Sequence, residues 1–273
     1  MNNQSIYIFD AGGTKTDVII HSGLKTETIA LSGYNPNRLD TYFNREVVKL
    51  DIPSDSKIFF YGSGINNQLA IKQVKNLFRS TDITVEGDIL GAARACLQKS
   101  KGIVCIMGTG GISAYYDGES VVQKNGGYGY LIDDYGGALE LSKTIVSNWL
   151  NQNYSKATTE AIEDYFEIPV KDFIPVFYQD KNLHALAGIC TILNKLVPND
   201  SILNETILNY FEEFVYRHVL PLCKKTDIFT ISLVGSIAIH FESHIKESMH
   251  KHGITITESI QKPIFKLLDF HLS

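Results

Sequence analysis

An acid, two glycines, two hydroxyls and a lysine stand together near the start of the chain, between two apolar runs, in the segment 10–16, DAGGTKT. Gly12 and Gly13 let an anion approach the main chain, and successive amides in such a turn form a concavity that suits phosphate. Carboxylate oxygens such as those of Asp10 are ligands that Mg²⁺ prefers. The segment predicts a phosphate-binding turn with a magnesium ligand, although an ordinary Gly-Gly hairpin has the same pattern. It is not a Walker A loop, because Thr14 rather than glycine precedes Lys15.

A second glycine turn, the segment Gly108-Thr109-Gly110-Gly111, also follows an apolar run and carries a hydroxyl. Taken alone it has the same alternative, a plain hairpin turn. Two such turns in one chain favour a shared phosphate clamp.

Asp88 stands at the predicted junction between a short strand, 83–85, and a helix, 89–97. An N-cap is the commoner role of aspartate there, and position alone favours it. The other interpretation is a general base that takes a proton from an attacking hydroxyl, since phosphoryl transfer needs little more than an oriented carboxylate and Mg²⁺. Asn35, Asp133 and Asp134 follow or precede glycine-rich loops, where turn and capping roles compete with contacts to sugar hydroxyls.

The composition excludes several classes of protein. The chain has 273 residues and a net charge of −5 with interspersed signs, so we expect no nucleic-acid-binding face. No apolar run reaches the length of a membrane span. The four cysteines lack CxxC spacing and are predicted to be small core residues in a reducing compartment, so cytoplasm is the expected location.

The predicted elements have an α/β pattern in which a strand, a glycine turn and a strand occur twice. We therefore expect two α/β domains, residues 1–107 and 108–261, with the tail 262–273 packing back on the first. A helix over 66–79 is expected to bury Leu69 and Val74. The region 158–222 is predicted to be helical with breaks at its prolines, which are Pro169, Pro175 and Pro198.

In this order the motifs resemble the BadF/BadG-type ATPase family, and most closely its N-acetylglucosamine kinase branch within the actin-like ATPase and sugar-kinase superfamily. The matching segments are the first turn, 33–36 (GYNP), 61–64 (YGSG), 87–95 (GDILGAARA), 108–110 (GTG), 126–129 (GGYG) and 234–238 (VGSIA). The resemblance implies two ribonuclease H-like domains flanking a cleft for nucleotide and substrate.

The resemblance also implies roles for individual residues. Asp10 would serve Mg²⁺, and Gly235 would border the adenosine of ATP. Asp88 would be the catalytic base and would also touch the sugar, an amino sugar such as N-acetylglucosamine or a muramic acid, phosphorylated at its 6-hydroxyl. The phosphate-binding residues would be Gly12, Gly13, Thr14, Lys15, Gly108, Thr109 and Gly110. The other sugar-binding residues would be Asn35, Gly127, Tyr128 and Asp134.

The chain departs from the family pattern at three places, and the first two, which lie near the expected sugar site, put the identity of the sugar in doubt more than ATP binding. The family usually has Gly-Asp-Glu-Gly-Ser where this chain has the segment 133–137, DDYGG. It often continues the second turn as Gly-Ser-Asn, where this chain has the segment 110–112, GGI. It also tends to place glycine after the tail proline, where this chain has Ile264. A sugar-sensing pseudokinase is therefore one alternative. An ATPase activator of another enzyme is a second, but its loop cysteines are missing here. The oligomeric state stays open, with a homodimer among the options.

Overall fold

The computed structural model describes residues 4–34 and 41–273, without the side chain of residue 41. Contacts divide the chain into two compact units. The first consists of Met1–Val104, Tyr116–Val122 and Lys262–Ser273, and the second of Cys105–Tyr115 and Gln123–Gln261. The domain boundary predicted between residues 107 and 108 stays a prediction.

The first unit contains a five-stranded sheet in the order β3-β2-β1-β4-β5. Its strands are β1 (Ile6–Ala11), β2 (Lys15–Ser22), β3 (Lys25–Ser32), β4 (Lys57–Gly62) and β5 (Ile83–Gly87). The first three strands are antiparallel neighbours, whereas β4 runs parallel to β1 and β5 runs parallel to β4.

A second five-stranded sheet has the order β10-β9-β6-β7-β8. Its strands are β6 (Gly102–Met107), β7 (Gly111–Tyr116), β8 (Val121–Gly126), β9 (Thr230–Val234) and β10 (Thr255–Ile260). In both sheets the first strand is central, two hairpin strands follow on one side, and the fourth and fifth strands lie on the other. The α/β class with two sheets, predicted from the repeated strand–turn–strand pattern, is confirmed.

Helices fill the connections between strands. They are α1 (Thr41–Lys49), α2 (Gln68–Lys75), α3 (Asp88–Leu97), α4 (Ala138–Leu150), α5 (Lys156–Phe166), α6 (Phe173–Asp180), α7 (Leu183–Gly188), α8 (Cys190–Leu196), α9 (Ser201–Phe214), α10 (Leu220–Thr226), α11 (Ser236–His240), α12 (Glu242–His250) and α13 (Ile264–Leu272). A π-helical turn, Val215–Val219, joins α9 to α10. None of the helices in the described part of the chain is long and apolar enough to cross a membrane.

The core on one face of the first sheet is aromatic. Phe9 and Phe60 lie on adjacent strands with ring centroids 5.6 Å apart, and Tyr34 and Phe43 pack edge-on against Phe60. Val74 of α2 joins the same buried cluster. Removing a ring of this kind typically costs about 3–5 kcal/mol, so this cluster fixes the scaffold beneath the site.

Two local predictions were wrong. Leu69 is 66% exposed, because α2 starts at an Asn67 cap and turns Ala70 and Val74 inward instead. Pro175 does not break the helix: α6 runs through it, since Pro175 occupies the third helical position, where a backbone N–H has no intrahelical partner anyway. The cysteines are free, and three of the four are buried, as predicted.

The C-terminal helix α13 packs on α3, and a partly buried polar chain joins the two helices. Arg94 donates to the Tyr61 hydroxyl at 2.9 Å, and that hydroxyl lies 2.8 Å from Nε2 of His271. The His271 ring stacks on Phe59 at 3.4 Å between centroids. Burial, with the nearby charges of Arg94 and Lys57, lowers the pKa of His271 to about 4.

This pairing predicts acid-sensitive packing of the tail. His271 is neutral in the folded protein and takes up a proton on unfolding, so its contribution is complete above pH 6.5 and is lost as the pH falls toward about 4. After allowance for partial exposure, we expect a loss of about 1–2 kcal/mol. Urea unfolding of wild type between pH 7 and pH 4 should show this loss in the free energy of unfolding, and the free energy of His271→Gln should decline less steeply over the same pH range. An equal decline in His271→Gln, with the exposed His250→Gln as control, would contradict the assignment.

Candidate functional site

The carboxyl ends of the three parallel strands of the first unit meet at one edge of the sheet. Ala11 pairs with Gly62, and Gly62 pairs with Gly87. Asp10 directly precedes the last residue of β1, and Asp88 directly follows β5, so both acids lie at the same edge. This is the edge at which α/β sheets bind ligands. The two acids singled out from the sequence are therefore brought to one place by the register of the strands.

Asp10 lies among acids. Burial, together with the charges of Asp88 and Asp17, raises its pKa to about 7, whereas the Lys262 ammonium acts in the opposite direction. Asp17 is the residue directly opposite Asp10 in the antiparallel pair β1–β2. Such a cluster favours a bound cation. Among the described residues no group of three or more side chains forms a metal site, so phosphate and water oxygens would have to complete the coordination of Mg²⁺ at Asp10.

The first glycine turn is tight and open on one side. The Gly12 amide donates to the Lys15 carbonyl at 3.0 Å, and the Tyr34 amide donates to the Gly12 carbonyl at 3.0 Å. A β-carbon on Gly33 would lie 2.5 Å from the main chain of Gly13, so the chain after β3 presses against the turn. A β-carbon on Gly13 would meet no atom within 4 Å. The turn therefore presents open main chain to an approaching anion.

Asp88 is the first residue of α3, and Gly87 occupies the N-cap position without a side-chain cap. The Asp88 carboxylate accepts from the amide of Ile89 at 2.8 Å. The helix is held close to the sheet, because a β-carbon on Gly91 would lie 2.8 Å from the Tyr61 ring. The carboxylate is thus fixed at the positive end of a helix, where it is partly exposed.

The second glycine turn is joined to the start of α4. The amides of Ala138 and Leu139 donate to the carbonyls of Gly108 and Thr109 at 2.8 and 3.1 Å. These bonds satisfy amides that a helix start leaves without partners. At Gly137 there is no room for a β-carbon, which would collide with the main chain of Gly110.

Gly235 lies against the start of the same turn. Its φ is +121°, and a β-carbon there would collide with the carbonyl of Met107. Its amide donates to the carbonyl of Ile260 at 2.9 Å. Only glycine fits this approach of two chain segments.

Asp134 lies directly over the second turn. It is 9% exposed, and a β-carbon on Gly110 would be 2.8 Å from its carboxylate. The Gly129 amide donates to Asp134 at 3.1 Å. Burial raises the pKa of Asp134 to about 6. Of the other residues expected to bind sugar, Gly127 and Tyr128 lie in the same glycine-rich segment, with Tyr128 exposed, and Asn35 lies outside the described residues.

Sequence reasoning missed the support beneath this segment. His218, in the π-helical turn, is buried, and its Nε2 lies 3.0 Å from Asp133. Tyr210 accepts from the Gly136 amide and donates to the Gly137 carbonyl, both at 2.8 Å. A π-helical turn is often found at a functional site. No local pattern marks these contacts, which join residues more than 70 positions apart in the chain.

Solved structures of similar fold cover nearly the whole chain, whereas no family model and no curated protein sequence matches it. A protein from Porphyromonas gingivalis, provisionally described as an N-acetylglucosamine kinase, is 28% identical with a TM-score of 0.86, over 97% of this chain and 98% of that one. A protein of the same description from Chromobacterium violaceum is 14% identical with a TM-score of 0.79, over 98% of each chain.

A more distant structure was solved with ligands. It is a glucokinase of the ROK family from Streptomyces griseus in complex with glucose and AMPPNP, 12% identical with a TM-score of 0.58, over 97% of this chain and 98% of that one. The chain is thus similar over its whole length to solved structures of sugar kinases.

Proposed function

We propose that this protein is an ATP-dependent kinase that transfers a phosphoryl group to a hydroxyl of an amino sugar, N-acetylglucosamine or a related N-acetylhexosamine or muramic acid. The 28% identity to the Porphyromonas gingivalis structure, which extends over 97% of the chain, carries this proposal. The two glycine turns and the acids beside them provide the groups that phosphoryl transfer needs. Assignment to the BadF/BadG-type family is part of the proposal.

In the proposed reaction a sugar hydroxyl, which we take to be the 6-hydroxyl, attacks the terminal phosphorus of ATP. Asp88 accepts the hydroxyl proton, the bond from phosphorus to the leaving oxygen breaks, and ADP departs. Gly12–Lys15 and Gly108–Gly110 hold the phosphates, and Asp134 orients the sugar. Mg²⁺, held at Asp10, would supply positive charge for the phosphate oxygens.

The departures from the family pattern are related to one another by packing. Serine is usual in the family at the positions of Gly111 and Gly137, but a β-carbon at Gly111 would collide with the Tyr135 carbonyl, and one at Gly137 with Gly110. Tyr135, where the family has glutamate, stacks on Tyr210 at 5.5 Å, with the Arg217 guanidinium 4.9 Å from its ring centre.

The packing around Gly111 and Gly137 leaves no room for serine side chains, while the acids Asp10, Asp88 and Asp134 are all retained. The retained acids favour an enzyme with altered sugar preference over a pseudokinase. The ATPase activator is disfavoured because the glycine turns carry no cysteine.

Phosphorylation of a sugar panel tests the proposal. Purified protein with ATP and Mg²⁺ is incubated with glucose, N-acetylglucosamine, N-acetylmannosamine and N-acetylmuramic acid, and ADP release and the ³¹P spectrum of the product are recorded. We expect turnover of an N-acetylated sugar, and none of its 6-deoxy analogue. Sugar binding by calorimetry without any ADP release would instead indicate a sensor, and ATP hydrolysis that no sugar stimulates would indicate an activator.

A further inference from the structure

Lys262, which precedes α13, extends its ammonium to the first glycine turn of the same unit. Its Nζ lies 3.0 Å from Oδ1 of Asp17, and Nζ of Lys15 lies 2.9 Å from the same oxygen. The Asp17 side chain is only 20% exposed, whereas both lysines are about half exposed. One carboxylate therefore pairs with two ammonium groups.

The pairing lies beside Asp10. Asp17 is opposite Asp10 across β1 and β2, and the Lys262 charge reaches Asp10 as well. Neighbouring like charges on paired strands destabilise each other, so Asp17 needs a cation whether or not nucleotide is bound. Lys15 belongs to the proposed phosphate turn, but its pairing with Asp17 offsets its charge and holds its ammonium at that carboxylate.

The two lysines differ in how they are anchored. Lys15 begins β2 directly after the open turn, whereas Lys262 is followed by Pro263, a buried residue that leads into a helix packed on α3. All three charged groups line one groove that is open to solvent, together with Thr28, Ile29 and Phe265. An anion entering from solvent can therefore reach Lys15 while Lys262 keeps Asp17 neutralised.

We propose that Lys262 is a positioning residue of the phosphate site, which holds Asp17 and thereby releases Lys15 to the phosphates of the nucleotide. This inference rests on the proposed function. Without Lys262, Asp17 would either retain Lys15 or, if Lys15 moved to the phosphates, stand as an uncompensated anion beside them. Either consequence weakens nucleotide binding and leaves sugar binding unaffected.

Lys262→Met tests the inference, with Lys72→Met on the exposed surface of α2 as the matched control. Binding of a non-hydrolysable ATP analogue with Mg²⁺ is measured by calorimetry, and kcat and KM for ATP and for the sugar are measured with the best substrate. We expect Lys262→Met to weaken analogue binding and raise KM for ATP about tenfold, a difference of about 1.4 kcal/mol. KM for the sugar, kcat and the thermal midpoint should change little, and Lys262→Arg should stay within about threefold of wild type.

The double variant Asp17→Asn/Lys262→Met decides between positioning and direct contact. If Lys262 acts through Asp17, removing the carboxylate frees Lys15, and analogue binding should return to within about threefold of wild type. Continued weak binding in the double variant would overturn the positioning role, and unchanged binding in Lys262→Met would overturn any role of Lys262. Failure of the proposed function is distinguishable, because wild type would then release no ADP in response to any sugar. Failure of this inference leaves wild-type turnover intact and removes only the effect of Lys262→Met on analogue binding.

Discussion

Replacing Asp88 by asparagine is expected to lower kcat for sugar phosphorylation by about 10²–10⁴-fold, the usual loss when a general base is removed. The amide keeps the size of the carboxylate and can still accept from the Ile89 amide, so the start of α3 should be preserved. Sugar affinity should change by less than about threefold, because the amide can still hydrogen-bond to a hydroxyl. Steady-state kinetics and calorimetric titration of the sugar separate the two quantities.

Asp82→Asn is the matched control, since Asp82 is exposed and precedes β5, whereas Asp88 follows the other end of the same strand. The control should have wild-type kcat. Near wild-type turnover in Asp88→Asn would show that Asp88 serves only to stabilise the first turn of α3. A fall in sugar affinity as large as the fall in kcat would assign it to sugar binding rather than to proton transfer.

Gly235→Ala is expected to destabilise the second unit and to abolish nucleotide binding. The backbone at Gly235 has a φ of +121°, and the added methyl group would collide with the Met107 carbonyl at the end of β6. Strain of this kind costs about 1–3 kcal/mol before any clash is counted. At about 2–4 °C for each kcal/mol, we expect the thermal midpoint to fall by about 6 °C or more. Any movement that relieves the clash also displaces the Gly108 turn.

The matched control is Gly253→Ala. Gly253 also has a positive φ, +68°, but a β-carbon there meets no atom within 4 Å. The Gly253→Ala substitution should lower the free energy of unfolding only by the usual cost of a left-handed backbone, about 1–2 kcal/mol, and should leave binding of an ATP analogue intact. Similar melting shifts and similar analogue binding in the two variants would show that strain alone, and not the contact with Met107, makes Gly235 necessary.

Much of the fold was predictable because its signals are local. The apolar runs and glycine turns predicted the strands, and the helix predicted over 89–97 is α3, Asp88–Leu97, in the structure. Periodicity was less informative for short elements. The inner face of α2 is defined by Ala70 and Val74, and a helix of eight residues gives too few turns for the pattern to exclude Leu69.

The chain order of acids and glycines was enough to single out Asp10, Asp88 and the two glycine turns, since each lies at the end of a strand or directly after one. The sequence by itself thus determined the α/β class and the candidate groups for phosphoryl transfer. Only the tertiary structure decided what lies against them: Lys262 at Asp17, the Gly110–Gly137 contact and the His218–Asp133 pair. These contacts join residues far apart in the chain, and their energies depend on packing and charge that no local periodicity encodes.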